Sequence, residues 1–211
     1  NLGAIALGGM STGVSPVQLA SAYTTFVNEG VRTQARFITK IVDATGAVIV
    51  DNTKPKTNRV TTAAVAEEMT SMLMGVYADG GTGASAQPSN GMVIAGKTGT
   101  TELDRETGYI KSQWMVGYTP DLVVATWLGY DKTNEIYNLN NAGKTMANLY
   151  SAEMGALLSI SPQTEFAVAA AEETYDSGII NGLKNGLDEF MNDMGSFGPS
   201  LGEGSKKLFD W

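Results

Sequence analysis

Two runs rich in β-branched and aromatic residues, Trp114 to Thr119 and Leu122 to Tyr130, are separated only by Pro120-Asp121. So short a connection joins antiparallel strands, because a parallel crossover needs a dozen residues or more. Trp114, Val116 and Tyr118 alternate, which predicts a strand with one half-buried face. Met92 to Ala95 is a short apolar run that reads as a third, buried strand. Helical periodicity lies elsewhere. Ser15-Pro16-Val17-Gln18 has a capping residue, a proline at the first helical position and a capping-box glutamine, so a helix is predicted near 16 to 28, stopped by Gly30. Thr61 to Val76 is predicted helical, with Val65, Met69, Met72 and Val76 as its apolar stripe and the methionines as core filling. Thr145 to Leu158 is predicted helical, with Met146, Leu149, Met154 and Leu157 facing inward. Phe37 to Val42 and Ala47 to Val50 flank Asp43-Ala44-Thr45-Gly46, a hairpin signal, and Lys54 to Asn58 reads as a polar connection. Helices segregated from strands predict an α+β fold, an antiparallel sheet flanked by helices, rather than alternating βαβ units.

Composition narrows the chemistry. The 211 residues are 43% hydrophobic, enough for a substantial core, which excludes global disorder. There is no cysteine, so disulfide scaffolds, thiol nucleophiles and cysteine–zinc sites are excluded. There is no histidine, so Ser-His-Asp triads and imidazole metal sites within these residues are excluded too. Acid–base work is left to Lys, Asp, Glu or Tyr. A net charge of −8 repels phosphate backbones and argues against a nucleic-acid partner. Asn1 to Asn28 is uncharged, but Gly8, Gly9, Gly13, Ser15, Pro16 and Gln18 interrupt it, so it is not read as a membrane span. The composition shifts at Ser161-Pro162, which predicts a domain over 1–161 and an acidic appendage over 162–211. That appendage carries one amphipathic helix with Ile180, Leu183, Leu187, Phe190, Met191 and Met194 on its apolar face.

The chemically distinctive segment is Lys97-Thr98-Gly99-Thr100, directly after the apolar run. In isolation an ordinary surface lysine beside an ordinary strand end is the better explanation. Its context is specific. Gly81-Thr82-Gly83-Ala84 precedes it, and Ala95-Gly96-Lys97-Thr98-Gly99-Thr100-Thr101 contains it. Upstream stand Ala6-Leu7-Gly8-Gly9-Met10 and Gly13-Val14-Ser15-Pro16-Val17-Gln18-Leu19-Ala20-Ser21-Ala22-Tyr23, and downstream Ala125-Thr126-Trp127-Leu128-Gly129-Tyr130-Asp131. Together these resemble the class A, bifunctional penicillin-binding proteins, in which Lys-Thr-Gly is the third active-site motif. The resemblance covers about residues 1 to 160 and implies the C-terminal part of a transpeptidase domain.

The substrate implied by this resemblance is a peptidoglycan stem peptide ending in D-Ala-D-Ala, which presents a free carboxylate. Lys97 and Thr100 are implied as catalytic. The Lys97 ammonium stands near the carboxylate and the serine of the family's second motif, and the Thr100 N–H forms half of the oxyanion hole. Thr98, Gly99 and Thr100 are implied as substrate-binding: two hydroxyls for the carboxylate, and a glycine that lets the acyl group lie close to the strand. A strand edge can also pair with an extended peptide through main-chain hydrogen bonds. Among other candidates, Glu67-Glu68 and Glu172-Glu173 read as solvated charges, and Asp104, Arg105 and Glu106 as a solvated loop. Trp114 and Trp127 read as core.

The family's other two motifs, Ser-x-x-Lys and Ser-x-Asn, are not found at any serine of the chain. The nucleophilic serine, its lysine base and the second oxyanion donor are therefore expected upstream, either on a fragment of the same protein held beside this one after cleavage, the favoured reading, or on a longer protein of which these residues are one part. These 211 residues alone are expected to be inactive. The implied reaction is acyl transfer by DD-transpeptidation, with β-lactams acylating the same serine and no metal or organic cofactor. The resemblance further implies an upstream glycosyltransferase domain, a membrane contact only through an upstream anchor, and work on the outer face of the cytoplasmic membrane. Two rivals stay open at this stage: a hydrolytic serine β-lactamase or DD-carboxypeptidase, and a non-catalytic wall-binding scaffold.

Overall fold

The computed structural model describes residues 13–103 and 106–167. Helix α1 (Pro16–Val27) begins at the capping box, where the Ser15 hydroxyl accepts from the Gln18 N–H and the Gln18 side chain accepts from the Ser15 N–H. Two otherwise free amides are thereby satisfied. After the helix the chain turns at Gly30, with φ +88°. A Cβ there would lie 2.3 Å from the Thr61 carbonyl oxygen, so no other residue fits.

Four short strands follow: β1 (Val31–Thr33), β2 (Lys40–Val42), β3 (Val48–Asp51) and β4 (Thr57–Arg59). β2 and β3 form the expected hairpin, starting at Lys40 rather than Phe37. The Asp43 carboxylate fixes its turn by accepting from the Thr45 N–H, the Thr45 hydroxyl and the Ala47 N–H. The polar connection predicted over Lys54 to Asn58 is corrected in part. Thr57 and Asn58 belong to β4, which pairs antiparallel with β1, a partnership that local polarity does not disclose.

Helix α2 (Ala63–Met74) is capped by the Thr62 hydroxyl, which accepts from the Val65 N–H. Its buried face carries Ala66, Thr70, Leu73 and Met74, while Val65 is 44% and Met72 56% exposed. Half of the predicted stripe holds: Met69 and Val76 pack against the core, whereas Val65 and Met72 face outward. A polar residue occupies the core side because the Thr70 hydroxyl bonds to the Ala66 carbonyl at 2.8 Å and the Tyr118 hydroxyl at 2.9 Å.

Beyond a 3-10 turn at Ala84–Ala86 come β5 (Ala95–Glu102), β6 (Ile110–Tyr118) and β7 (Val123–Gly129), an antiparallel sheet in that order, and then α3 (Gly143–Leu158). Met92 to Ile94 is not paired as a strand. Val93 is exposed, while Met92, Ile94 and Ala95 meet the core, and the strand itself begins only at Ala95. The expectation of one half-buried face on β6 is also corrected, because Met115 and Val116, on opposite faces, are 4% and 3% exposed. Helices cover both sides. Tyr150, Met154, Leu158, Met146 and Ala147 of α3 pack with Met115 and Val124. On the other side Leu73 and Met74 of α2, with Tyr23, Phe26 and Val27 of α1, surround Ala95 and Tyr118. Along α3, Met146 and Met154 are buried as predicted and Leu157 partly so, whereas Leu149 faces outward.

The chain after α3 stays against this body as far as it is described. Thr164 donates its N–H and hydroxyl to Asp121, and Phe166 meets Tyr118 edge-on at 5.8 Å. The helix predicted around Ile180 to Met194, and the pair Glu172-Glu173, lie outside the described residues. Helices and antiparallel strands are segregated, the α+β arrangement the sequence predicts.

Candidate active site

Lys97 to Thr100 fall at the middle of β5, the first strand of the three-stranded sheet. Among the described residues the other edge of β5 has no partner strand. The strand is held in place by close packing one residue earlier. At Gly96 a Cβ would come within 2.0 Å of the Val116 carbonyl oxygen, so β5 lies against β6 at a distance only glycine permits. Register pairs Lys97 with Val116, Thr98 with Met115, Gly99 with Trp114 and Thr100 with Gln113. Lys97 and Gly99 therefore share one face of the sheet, and Thr98 and Thr100 the other.

Lys97 and Thr100 are exposed, and Thr98 and Gly99 half-buried. The Lys97 Nζ donates to the Thr98 carbonyl oxygen at 3.0 Å. The Thr98 hydroxyl meets that of Thr82 at 3.0 Å, which joins the motif to the glycine-rich turn after α2. That turn is fixed by its own backbone. The Gly81 N–H bonds to the Ala78 carbonyl and the Gly83 N–H to the Val76 carbonyl, and a Cβ on Gly81 would sit 2.3 Å from the Val76 oxygen. The sequence flagged this turn as a motif neighbour but did not disclose its hydroxyl contact, which depends on a fold that brings positions sixteen apart together.

Under the strand lies a layer of neutral tyrosines. The Tyr77 hydroxyl donates to the Val116 carbonyl at 2.9 Å, and its ring stacks on Tyr150 at 6.0 Å. Both hydroxyls crowd beneath Gly117, where a Cβ would lie 2.2 Å from the Tyr150 oxygen. Burial drives both phenols well above their ordinary range. Tyr118 is pushed up to about 12, chiefly by burial, against a smaller opposing effect of its bond to Thr70. These three tyrosines are scaffold, not proton carriers.

The remaining candidates lie apart from this chemistry. Glu67, Glu68 and Glu106 are exposed, and Asp104 and Arg105 lie outside the described residues. Trp114 and Trp127 pair edge-to-face across β6 and β7 at 6.4 Å, with Trp127 41% exposed. A groove of about 540 Å³ between α1, the chain after β1 and the β6–β7 turn contains none of Lys97 to Thr100. The motif lines an open edge, as one wall of a site does.

The model of the penicillin binding protein transpeptidase domain matches residues 1–153. The chain belongs to the penicillin-binding protein transpeptidase family. Penicillin-binding protein 2a of Streptococcus pneumoniae is 41% identical over 171 residues, a match that covers 79% of this chain and 22% of that protein. Penicillin-binding protein 1F of Bacillus subtilis is 37% identical over 147 residues, covering 70% and 20%. Among solved structures, the penicillin-binding protein PonA1 of Mycobacterium tuberculosis superposes with a TM-score of 0.61 at 28% identity, covering 72% of this chain and 40% of that one. The same protein has been solved in complex with penicillin V. These relatives are of the class A type that the sequence motifs resemble. The chain spans about a fifth of the length of the curated relatives it matches.

Proposed function

We propose that this chain supplies one wall of a peptidoglycan DD-transpeptidase site, and that the nucleophilic serine comes from polypeptide upstream of it. The observation that carries this reading is Lys97-Thr98-Gly99-Thr100 on a strand whose outer edge has no partner strand among the described residues, in a chain of the transpeptidase family. The upstream serine Oγ attacks the penultimate D-Ala carbonyl, and the terminal D-Ala leaves as its amine. An amine of a second stem peptide then attacks the ester and frees the serine. Lys97 sets a positive charge beside the substrate carboxylate, Thr98 and Thr100 offer it hydroxyls, and the Thr100 N–H stabilises the oxyanion. Gly99 keeps the edge clear. A β-lactam acylates the same serine and is held by the same wall. The upstream portion is held beside this chain, and the reaction takes place outside the cytoplasm, on the wall. Membrane attachment is assigned to an upstream anchor; among the described residues no helix is long and apolar enough to cross a membrane.

Intact-mass analysis of a preparation that contains the upstream polypeptide, with and without labelled penicillin, tests this. The expected result is the drug's mass added to the polypeptide upstream of residue 1 and none to residues 1–211. A preparation in which no species gains mass contradicts the reading and favours a non-catalytic scaffold. Cross-linking to an added amine acceptor separates transpeptidase from hydrolase.

A further inference from the structure

Thr82 is placed to control the motif without belonging to it. Its hydroxyl lies 3.0 Å from that of Thr98, and either oxygen can be the donor. The turn that carries Thr82 has little freedom, because a Cβ on Gly81 would lie 2.3 Å from the Val76 oxygen and Gly83 is packed tightly against Tyr77. The backbone thus fixes where the exposed Thr82 side chain starts, and its hydroxyl reaches Thr98 from there.

A threonine hydroxyl has one proton to give and two lone pairs to accept with. An ionised carboxylate only accepts. If Thr98 spends its proton on Thr82, it has none for a bound carboxylate. If Thr82 is the donor, Thr98 keeps its proton and its rotamer is held. We infer that Thr82 is a positioning residue for the carboxylate subsite, donating to Thr98 so that the Thr98 hydroxyl is aimed at the ligand's carboxylate. The inference rests on the function proposed above. Thr82 itself does not touch the ligand; it orients the group that does.

The test uses the full-length protein and two probes, a penicillin with a free carboxylate and its methyl ester. Thr82→Val preserves shape and removes the hydroxyl, and Thr82→Ser preserves the hydroxyl. Thr82→Val is expected to slow acylation by the free acid about tenfold, the scale of one hydrogen bond to a charged group. Acylation by the ester should be unchanged, and Thr82→Ser should restore the free-acid rate. A Thr82→Val protein acylated by the acid at the wild-type rate overturns the inference, as does an equal loss with acid and ester. Should Thr82→Val fail to fold, Thr82→Ala is subject to the same criterion of an acid-specific loss. Failure of the wild-type protein to be acylated at all sinks the proposed function instead, so the two failures are distinguishable.

Discussion

The β2–β3 hairpin and the β5–β6–β7 sheet are built from similar residues and end in opposite environments. In β6, Met115 and Val116 are almost wholly buried; in the hairpin, Val42, Val48 and Ile49 are 52%, 52% and 64% exposed. Side-chain pattern makes a strand in both places, but burial depends on what covers it. The central sheet has α1 and α2 on one face and α3 on the other, whereas among the described residues the hairpin strands pair only with each other. A lone two-stranded ribbon is marginal, and this one is held at its turns, where Asp43 and Asp51 each accept from the threonine two residues on. Burial is concentrated in the sheet that carries the candidate motif.

Single substitutions probe that contrast. Gly96→Ala should be the most damaging, because the new Cβ meets backbone that cannot yield. A loss of about 3 kcal/mol in urea unfolding is expected, against less than about 1 kcal/mol for Gly99→Ala, whose Cβ would meet Trp114 Cβ at 3.3 Å. Equal losses at the two positions would remove the idea that β5 is pinned at Gly96 and open at Gly99.

The buried tyrosines give a pH test of the sheet. The neutral forms of Tyr77, Tyr118 and Tyr150 are favoured in the folded state, since burial raises all three. Their contribution to stability is complete below the ordinary tyrosine range near pH 10, where the unfolded chain begins to ionise, and is lost as pH rises through about 12, the Tyr118 value. Absorbance titration should show these three tyrosines ionising only as near-ultraviolet ellipticity collapses. Ionisation of all tyrosines in one step near pH 10, with the fold intact, would contradict the burial.

The hairpin should respond least. Ile49→Ser removes an apolar side chain that is 64% exposed, so stability should change by no more than about 0.5 kcal/mol. A loss above 2 kcal/mol by the same urea assay would mean the ribbon is covered by something that holds it in the folded protein.

Local signals exposed a good deal of this architecture and failed for identifiable reasons. Ser15 and Gln18 announced α1 because a capping box is a contact between near neighbours. The Pro120-Asp121 connection announced the β6–β7 pair. Half of the α2 stripe was misjudged because Thr70 is buried through a hydroxyl bond to Tyr118, 48 positions away. The pairing of β4 with β1 was missed because its partner lies across the hairpin. Lys97 to Thr100 were legible as a motif. Their place on an open edge, and the link from Thr98 to Thr82, came only with the sheet.

Acylation kinetics of the full-length protein with Lys97→Ala test the central claim most directly. Lys97 is exposed and, among the described residues, its Nζ bonds to the neighbouring Thr98 carbonyl, so the melting temperature should hold. Loss of a charge aimed at the reacting ligand should lower the penicillin acylation rate by about a hundredfold. An acylation rate equal to wild type would show that this strand is not the wall of the site.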